Sequence, residues 1–179
     1  MQLKSMMEAV NTEIRLCTEK NRESTRRNVL KEKGISQLLY GSKTTLAEKI
    51  RNMCQRAPNT MRELVDYQKP VEESKDLLFG IDASITTTRN GIEETGSLIL
   101  WTTPDEPRLM SLIPPIHLAI PYAGNIYNTF WEAVNKEKWN SSMQTNALLI
   151  SGPFKTADIE KTLVYGLRGS KELVVLLIK

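Results

Sequence analysis

The chain has one histidine, two cysteines and only 6% aromatic residues in 179 positions. The thiols, Cys17 and Cys54, stand far apart, and no CxxC pair exists. Two cysteines cannot ligate a four-thiolate iron–sulfur cluster alone, so free thiols of a reducing compartment are the simpler reading. The lone histidine, His117, has no triad or metal-site spacing around it, and no metal ligand set is read. Alternation along Ile116–Ile120 puts it opposite Ile116 and Leu118, which suits a structural role. The charge is also small, +3 from 24 basic and 21 acidic residues. An excess of that size argues against nucleic acid as a partner. The most basic stretch, Arg22–Lys33, contains Glu23 and Glu32 as well and reads as a solvated helix face.

Long apolar runs are missing too. The longest, Leu173–Ile178, is far too short for a bilayer, so no membrane span is expected. Met1–Val10 lacks the apolar run of a signal peptide, and a cytoplasmic location is expected. What is present is an ordinary globular balance, 40% hydrophobic and 25% charged. With few aromatics, aliphatic residues must fill the core, as in a buried parallel sheet. The length suits one domain with a substantial core.

From Leu3 to about Lys33 there is no Gly or Pro, and apolar residues recur at helical spacing. One long helix or two consecutive ones are expected, ending at Gly34. Residues 1–34 are therefore read as an N-terminal helical segment and 35–179 as an α/β domain. Strands are expected at Ile35–Tyr40, Arg62–Tyr67, Ala83–Thr88, Ser97–Thr102 and Ile116–Pro121. Thr44 or Thr45 caps a helix running to about Gln55, with further helices at Val71–Phe79 and Ile126–Lys136 and a helical turn at Arg108–Leu112. Lys138–Asn146 reads as a polar loop. Ala147–Ile150, a helix over Thr156–Tyr165 and Leu173–Ile178 make a β-α-β unit whose strands should be parallel. The fold class is α/β, an open and mostly parallel sheet flanked by helices.

Three segments can carry chemistry. Gly91-Ile92-Glu93-Glu94-Thr95-Gly96 puts two carboxylates and a hydroxyl in one turn, suited to acid–base work or a cation. The plainer reading is a hairpin turn with solvated acids. Ser151-Gly152-Pro153-Phe154-Lys155-Thr156-Ala157-Asp158 leads from a strand into an expected helix N-terminus, a place where free amides suit an anion. Asp158 and Glu160 already satisfy the helix dipole there, and Thr156 also serves as a simple N-cap. Gly166-Leu167-Arg168-Gly169 ends that helix, with Arg168 free to clamp a carboxylate or phosphate.

Together these segments resemble the LUD domain, the family of lactate utilization protein C. The matching stretches are Gly91–Leu100, Pro107–Leu109 through Leu112–Pro114, His117–Ala119, Ser151–Pro153 through Thr156–Glu160, then Gly166, Gly169 and Lys171–Leu173, from Gly80 to the end. Where the family has Gly-Val-His-Gly, this chain has Gly166-Leu167-Arg168-Gly169, without the histidine. The resemblance implies a fold similar to the sugar-phosphate isomerase and CoA-transferase fold. It implies a part in oxidising L-lactate to pyruvate. The partners it implies are an iron–sulfur LUD-containing protein and a cysteine-rich protein. The chain itself carries no cofactor on this reading, and the iron–sulfur clusters belong to the partners.

The leading expectation is thus a subunit of a lactate-oxidising system. In it Glu94, Thr95 and Gly96 meet Ser151, Gly152, Thr156, Asp158 and Arg168 at the C-terminal edge of the sheet around a small anionic ligand. The alternative is a stand-alone enzyme or binding protein for a sugar phosphate, nucleotide or CoA ester, with Glu94 as catalytic base or nucleophile. A third is a scaffold whose N-terminal helical segment docks a partner.

Overall fold

Leu173–Ile178 is six consecutive aliphatic residues, too apolar for either face of a strand to meet water. In the computed structural model it lies in β12 (Glu172–Ile178), inside the main sheet, and none of the six is more than 3% exposed. Each such side chain contributes about 1.5–3 kcal/mol when fully buried. A charge at Val174 or Val175 would therefore disrupt the buried interior of the sheet. The structure describes residues 2–56, 63–67, 77–142, 146–157, 163–165 and 169–179.

Five more strands join β12: β1 (Glu13–Cys17), β2 (Gln37–Tyr40), β3 (Glu63–Asp66), β4 (Ala83–Thr87) and β7 (Ile116–Ile120). Their order is β1-β12-β7-β4-β2-β3, and every pairing is parallel. The parallel sheet read from the sequence is therefore present. One face, through Val174, Leu176, Ile178, Leu118 and Ile85, meets Val29 and Leu30 of α2 (Arg22–Glu32) and Ile50 and Met53 of α3 (Ala47–Arg56).

The opposite face, through Leu173, Val175, Leu177 and Ala119, meets Leu3 and Met7 of α1 (Gln2–Glu8) and a second, smaller sheet. That sheet has the order β8-β5-β6-β9, from β5 (Asn90–Ile92), β6 (Ser97–Trp101), β8 (Ile126–Tyr127) and β9 (Ala147–Ile150). β6 is antiparallel to both β5 and β9. Its Leu98 and Leu100 point to the main sheet, while Ile99 packs outward with Ala133 and Trp139. Ala133 belongs to α5 (Phe130–Lys136), and Trp139 opens α6 (Trp139–Ser142). The short α4 (Arg108–Leu112) places Met110 against Leu39 and Ile81.

Several expectations are corrected. Leu3–Lys33 is not continuous helix: α1 gives way at Asn11, whose φ of 66° is left-handed, and β1 follows. β1 is an edge strand whose Leu16 is 43% exposed, so its pattern hides the strand; pairing with β12 overrides its helix-forming composition. Lys33 bonds Glu13 at 2.8 Å and Glu172 at 2.7 Å, tying α2, β1 and β12 together. The helix expected over Ile126–Lys136 starts only at Phe130, capped by Thr129 Oγ1, which accepts from Glu132 N. Ile126 lies in β8 instead, and Trp131 is 74% exposed. Lys138–Asn146 is not wholly loop, since residues 139–142 form α6.

The closing β-α-β unit is also overturned. β9 belongs to the small sheet, antiparallel to β6, and not beside β12. Both ends of the expected helix Thr156–Tyr165 are strands, β10 (Lys155–Ala157) and β11 (Leu163–Tyr165), paired antiparallel. Thr156, Val164 and Tyr165 are β-branched or aromatic, and that preference outweighs the helical spacing. Residues 158–162 lie outside the described residues, as does most of the helix expected at Val71–Phe79, of which 77–79 are helical.

Candidate functional site

In an open parallel sheet the strand ends with free carbonyl-side loops form the natural ligand crevice. Here those ends are Tyr40, Thr87 and Ile120, side by side in β2, β4 and β7. An open cleft of about 550 Å³ lies over them. β4 and the residues after it contribute Thr87, Thr88 and Arg89; the loop after β2 contributes Thr45. Tyr122 and Asn125 come from the segment after β7. The small sheet adds Trp101 at the end of β6, and the loop beyond adds Thr103 and Glu106.

Glu106 is the central group. It is 7% exposed, yet it is a carboxylic acid. Its Oε1 accepts from Thr87 N at 3.0 Å and its Oε2 accepts from Thr87 Oγ1 at 2.5 Å. The loop holding it is closed by Thr103: Glu106 N donates to Thr103 Oγ1 at 3.0 Å, and Thr103 N donates to Glu106 O at 3.1 Å. The loop also lies directly on Gly41. A Cβ there would stand 2.4 Å from Asp105 O and 3.0 Å from Glu106 Cγ, so only glycine lets it approach. Burial pushes the Glu106 carboxyl above the ordinary carboxylate value; the Thr87 hydrogen bonds oppose this, and the neighbouring Asp105 charge adds to it. A carboxyl whose neutral form is favoured by burial and which is held by two hydrogen bonds can give or take a proton.

Arg89 supplies the positive group. Its guanidinium lies 4.8 Å from the centre of the Trp101 ring, and its Nε donates to Glu137 Oε2 at 2.7 Å. Glu137 Oε1 also accepts from Tyr127 OH at 3.0 Å and Asn90 Nδ2 at 3.2 Å. Burial would raise the Glu137 carboxyl, but these three donors outweigh it and hold the carboxyl below its usual value. Arg89 is thus fixed in place by a carboxylate on one side and an indole on the other. Hydroxyls, one buried acid and one fixed guanidinium can orient a polar, anionic small molecule and move a proton on it.

His117 is not part of this chemistry. It is buried, its Nε2 lies 2.9 Å from Thr86 Oγ1, and burial pushes its pKa down to about 3. The structural role read from its alternation agrees with that.

The residues singled out in the sequence fall elsewhere. Glu94 and Thr95 are exposed in the turn joining β5 to β6, and Glu94 N donates to Asn128 O at 2.9 Å. Gly96, with φ of 59°, lies against Met6 of α1. Ser97 Oγ and Ser151 Oγ are 2.9 Å apart, Thr12 Oγ1 donates to Ser151 O at 2.8 Å, and Gly152 packs on Val10. Gly96, Ser151 and Gly152 therefore do gather, but beside Thr12, where β1 begins. That is the N-terminal rim of the parallel sheet, not the C-terminal edge expected for them. The reason is that β9 runs antiparallel to β6, so its end returns to the start of β6. Thr156 lies in β10 opposite Val164, so no helix N-terminus stands there to cradle an anion. Asp158 and Arg168 lie outside the described residues.

Glu106, Arg89 and Tyr122 were missed by sequence reasoning. The signal that points to them is Thr86-Thr87-Thr88, a polar run closing an apolar strand, as a crevice-lining strand end requires. Among the described residues there is no metal-binding cluster, and no helix is long and apolar enough to cross a membrane.

This α/β architecture with its crevice is that of a known class. The LUD domain model matches residues 1–178, and the chain belongs to the LUD domain family. It is 37% identical over 174 residues to an uncharacterized protein, NMB1437, of Neisseria meningitidis serogroup B, covering 96% of this chain and 73% of that protein. Lactate utilization protein C 1 of Bacillus mycoides is 25% identical over 173 residues, covering 94% of this chain and 74% of that one. A crystal structure of a DUF162 family protein from Deinococcus radiodurans shares the fold at 19% identity, with a TM-score of 0.70 over 99% of this chain and 94% of that one.

Proposed function

We propose that this protein works in L-lactate utilization, as a cytoplasmic subunit of a system that oxidises lactate to pyruvate, and that its contribution is the ligand cleft around Glu106. The observation that carries this reading is a crevice with a buried carboxyl and a fixed guanidinium in a LUD domain whose relatives include proteins named lactate utilization protein C. The redox centres belong to an iron–sulfur LUD-containing partner and a cysteine-rich partner, since Cys17 and Cys54 are single free thiols on separate elements. Within the cleft, Glu106 holds or accepts a proton, Arg89 and the threonine hydroxyls orient an anionic group, and Trp101 walls off water. The test is deletion of the coding sequence followed by growth on L-lactate as sole carbon source. Growth should fail and return with the wild-type copy but not with Glu106→Ala. Undiminished growth of the deletion strain refutes the role.

A second reading is favoured by size. About 550 Å³ is far more than a three-carbon acid fills and lies in the usual range for a nucleotide-sized ligand. On that reading the cleft serves a phosphorylated metabolite or a CoA ester, bound by a stand-alone enzyme or binding protein. Turnover or tight binding by the isolated chain distinguishes it from the subunit role.

A further inference from the structure

Among the described residues is a buried cation whose terminal nitrogens have no hydrogen-bond partner. Arg26 is 1% exposed, and neither its NH1 nor its NH2 has a hydrogen-bond partner. An unpaired buried guanidinium is costly, and such a group calls for an ion or ligand to explain it. Its surroundings do not supply one. Of the acids on the same helix or just before it, Glu23 pairs with Arg56 at 3.1 Å and Glu19 pairs with Arg22. Burial and the neighbouring Arg22 charge work against the charge on Arg26, and the Glu23 carboxylate opposes them without outweighing them.

The position of Arg26 ties it to the cleft. It lies one turn before Val29 and Leu30, which cover the main sheet beside Cys17 and Ile178, the C-terminal ends of β1 and β12. Tyr122 packs on that same cluster, lines the cleft and lies within electrostatic reach of Arg26. Lys49 of α3 donates to Tyr122 OH at 3.5 Å. Lys49 thus stands beside the phenol at one end of the crevice, Arg26 is buried on α2 over the same end of the sheet, and Thr45 stands at the approach to α3.

We propose that the Tyr122 end of the cleft is an anion subsite, where Arg26 and Lys49 bind the phosphate group of a phosphorylated small molecule whose remainder fills the cleft. This deepens the proposed function and rests on its reading of the cleft as a ligand site. A dianion is the better match than a carboxylate, because the site draws on two cations and a lactate-sized acid leaves most of the volume empty. Because Arg26 is sealed, the anion reaches it as the Tyr122 side chain swings aside.

The experiment measures the thermal unfolding midpoint, and heat of binding by titration, with inorganic phosphate, pyrophosphate, ADP and L-lactate, ionic strength being held with chloride. Phosphate-bearing probes should raise the midpoint of the wild type and of the control Arg56→Met. Binding should weaken at least tenfold in Arg26→Met and in Lys49→Met. Without ligand, Arg26→Met should unfold at the same midpoint or higher, since it loses an uncompensated charge. If that variant fails to fold, Lys49→Met carries the test. No midpoint shift with any phosphate probe, or an equal shift in the variants, overturns the subsite. L-lactate binding without phosphate binding overturns it while leaving the cleft reading intact; failure of every probe removes both.

Discussion

Replacing Glu106 separates two roles that the structure assigns to one carboxyl, a hydrogen-bond hub and a buried titrating group. Glu106→Ala removes the acceptors of Thr87 N and Thr87 Oγ1 and leaves both donors part-buried at the wall of the cleft. At about 1–3 kcal/mol for each orphaned donor when fully buried, the loss is at most about 2–6 kcal/mol. Glu106→Gln keeps an oxygen for Thr87 N and offers an NH2 to Thr87 Oγ1, while removing a buried charge. It should stay within about 1 kcal/mol of the wild type at pH 8. The pH dependence has a fixed sign. The folded carboxyl holds its proton more tightly than the unfolded one, because burial raises it. Its stabilising contribution is complete below the ordinary carboxylate range and is lost as pH rises through that range to the raised folded value. Urea denaturation of wild type and Glu106→Gln from pH 4 to pH 8 reads this directly. The wild type should lose ground against the glutamine variant as pH rises, and the difference should then level off. A difference that grows in favour of the wild type at high pH, or a glutamine variant as damaged as the alanine one, refutes the reasoning.

Two further perturbations test other parts of the fold. His117, neutral and sealed with a pKa near 3, should make the protein less stable as pH falls below about 6.5, where the unfolded histidine gains a proton and the folded one does not. That slope, worth on the order of 3–5 kcal/mol across the whole window, should flatten in His117→Gln in the same denaturation series, and an unchanged slope would contradict the assignment. Gly96→Ala puts a Cβ 2.4 Å from Met6 Cβ at a left-handed φ of 59° and should lower stability by about 2–4 kcal/mol; a shift below 0.5 kcal/mol in urea would show that α1 is not held against the turn.

What was legible in the sequence follows from burial on two faces. β12 and β7 stand out as near-continuous apolar runs because both their faces are covered, and β2 and β4 are short aliphatic runs closed by Gly41 and by threonines. β1 was hidden because an edge strand needs no such run: Glu13, Arg15 and Leu16 partly face solvent, and its identity comes from the register with Val174–Ile178. β10 and β11 were hidden because Thr156–Tyr165 satisfies helical spacing and strand preference at once. The candidate site was illegible for a different reason. Glu106, Tyr122 and Arg89 lie on three separate connections, after β6, β7 and β4, and only the pairing of β4 with β7 and the packing of the small sheet on the main one bring those connections together. The glycine loops were visible as motifs, but the antiparallel course of β9 carries Ser151 to the other rim.

The pairing of β1 with β12 joins the first strand of the sheet in chain order to the last. On the ribosome, β1 has no neighbour in the sheet to accept its backbone groups until the chain through β12 has been made. Folding of this chain should therefore be late and all at once rather than progressive, with a slow nucleation set by closing so long a loop.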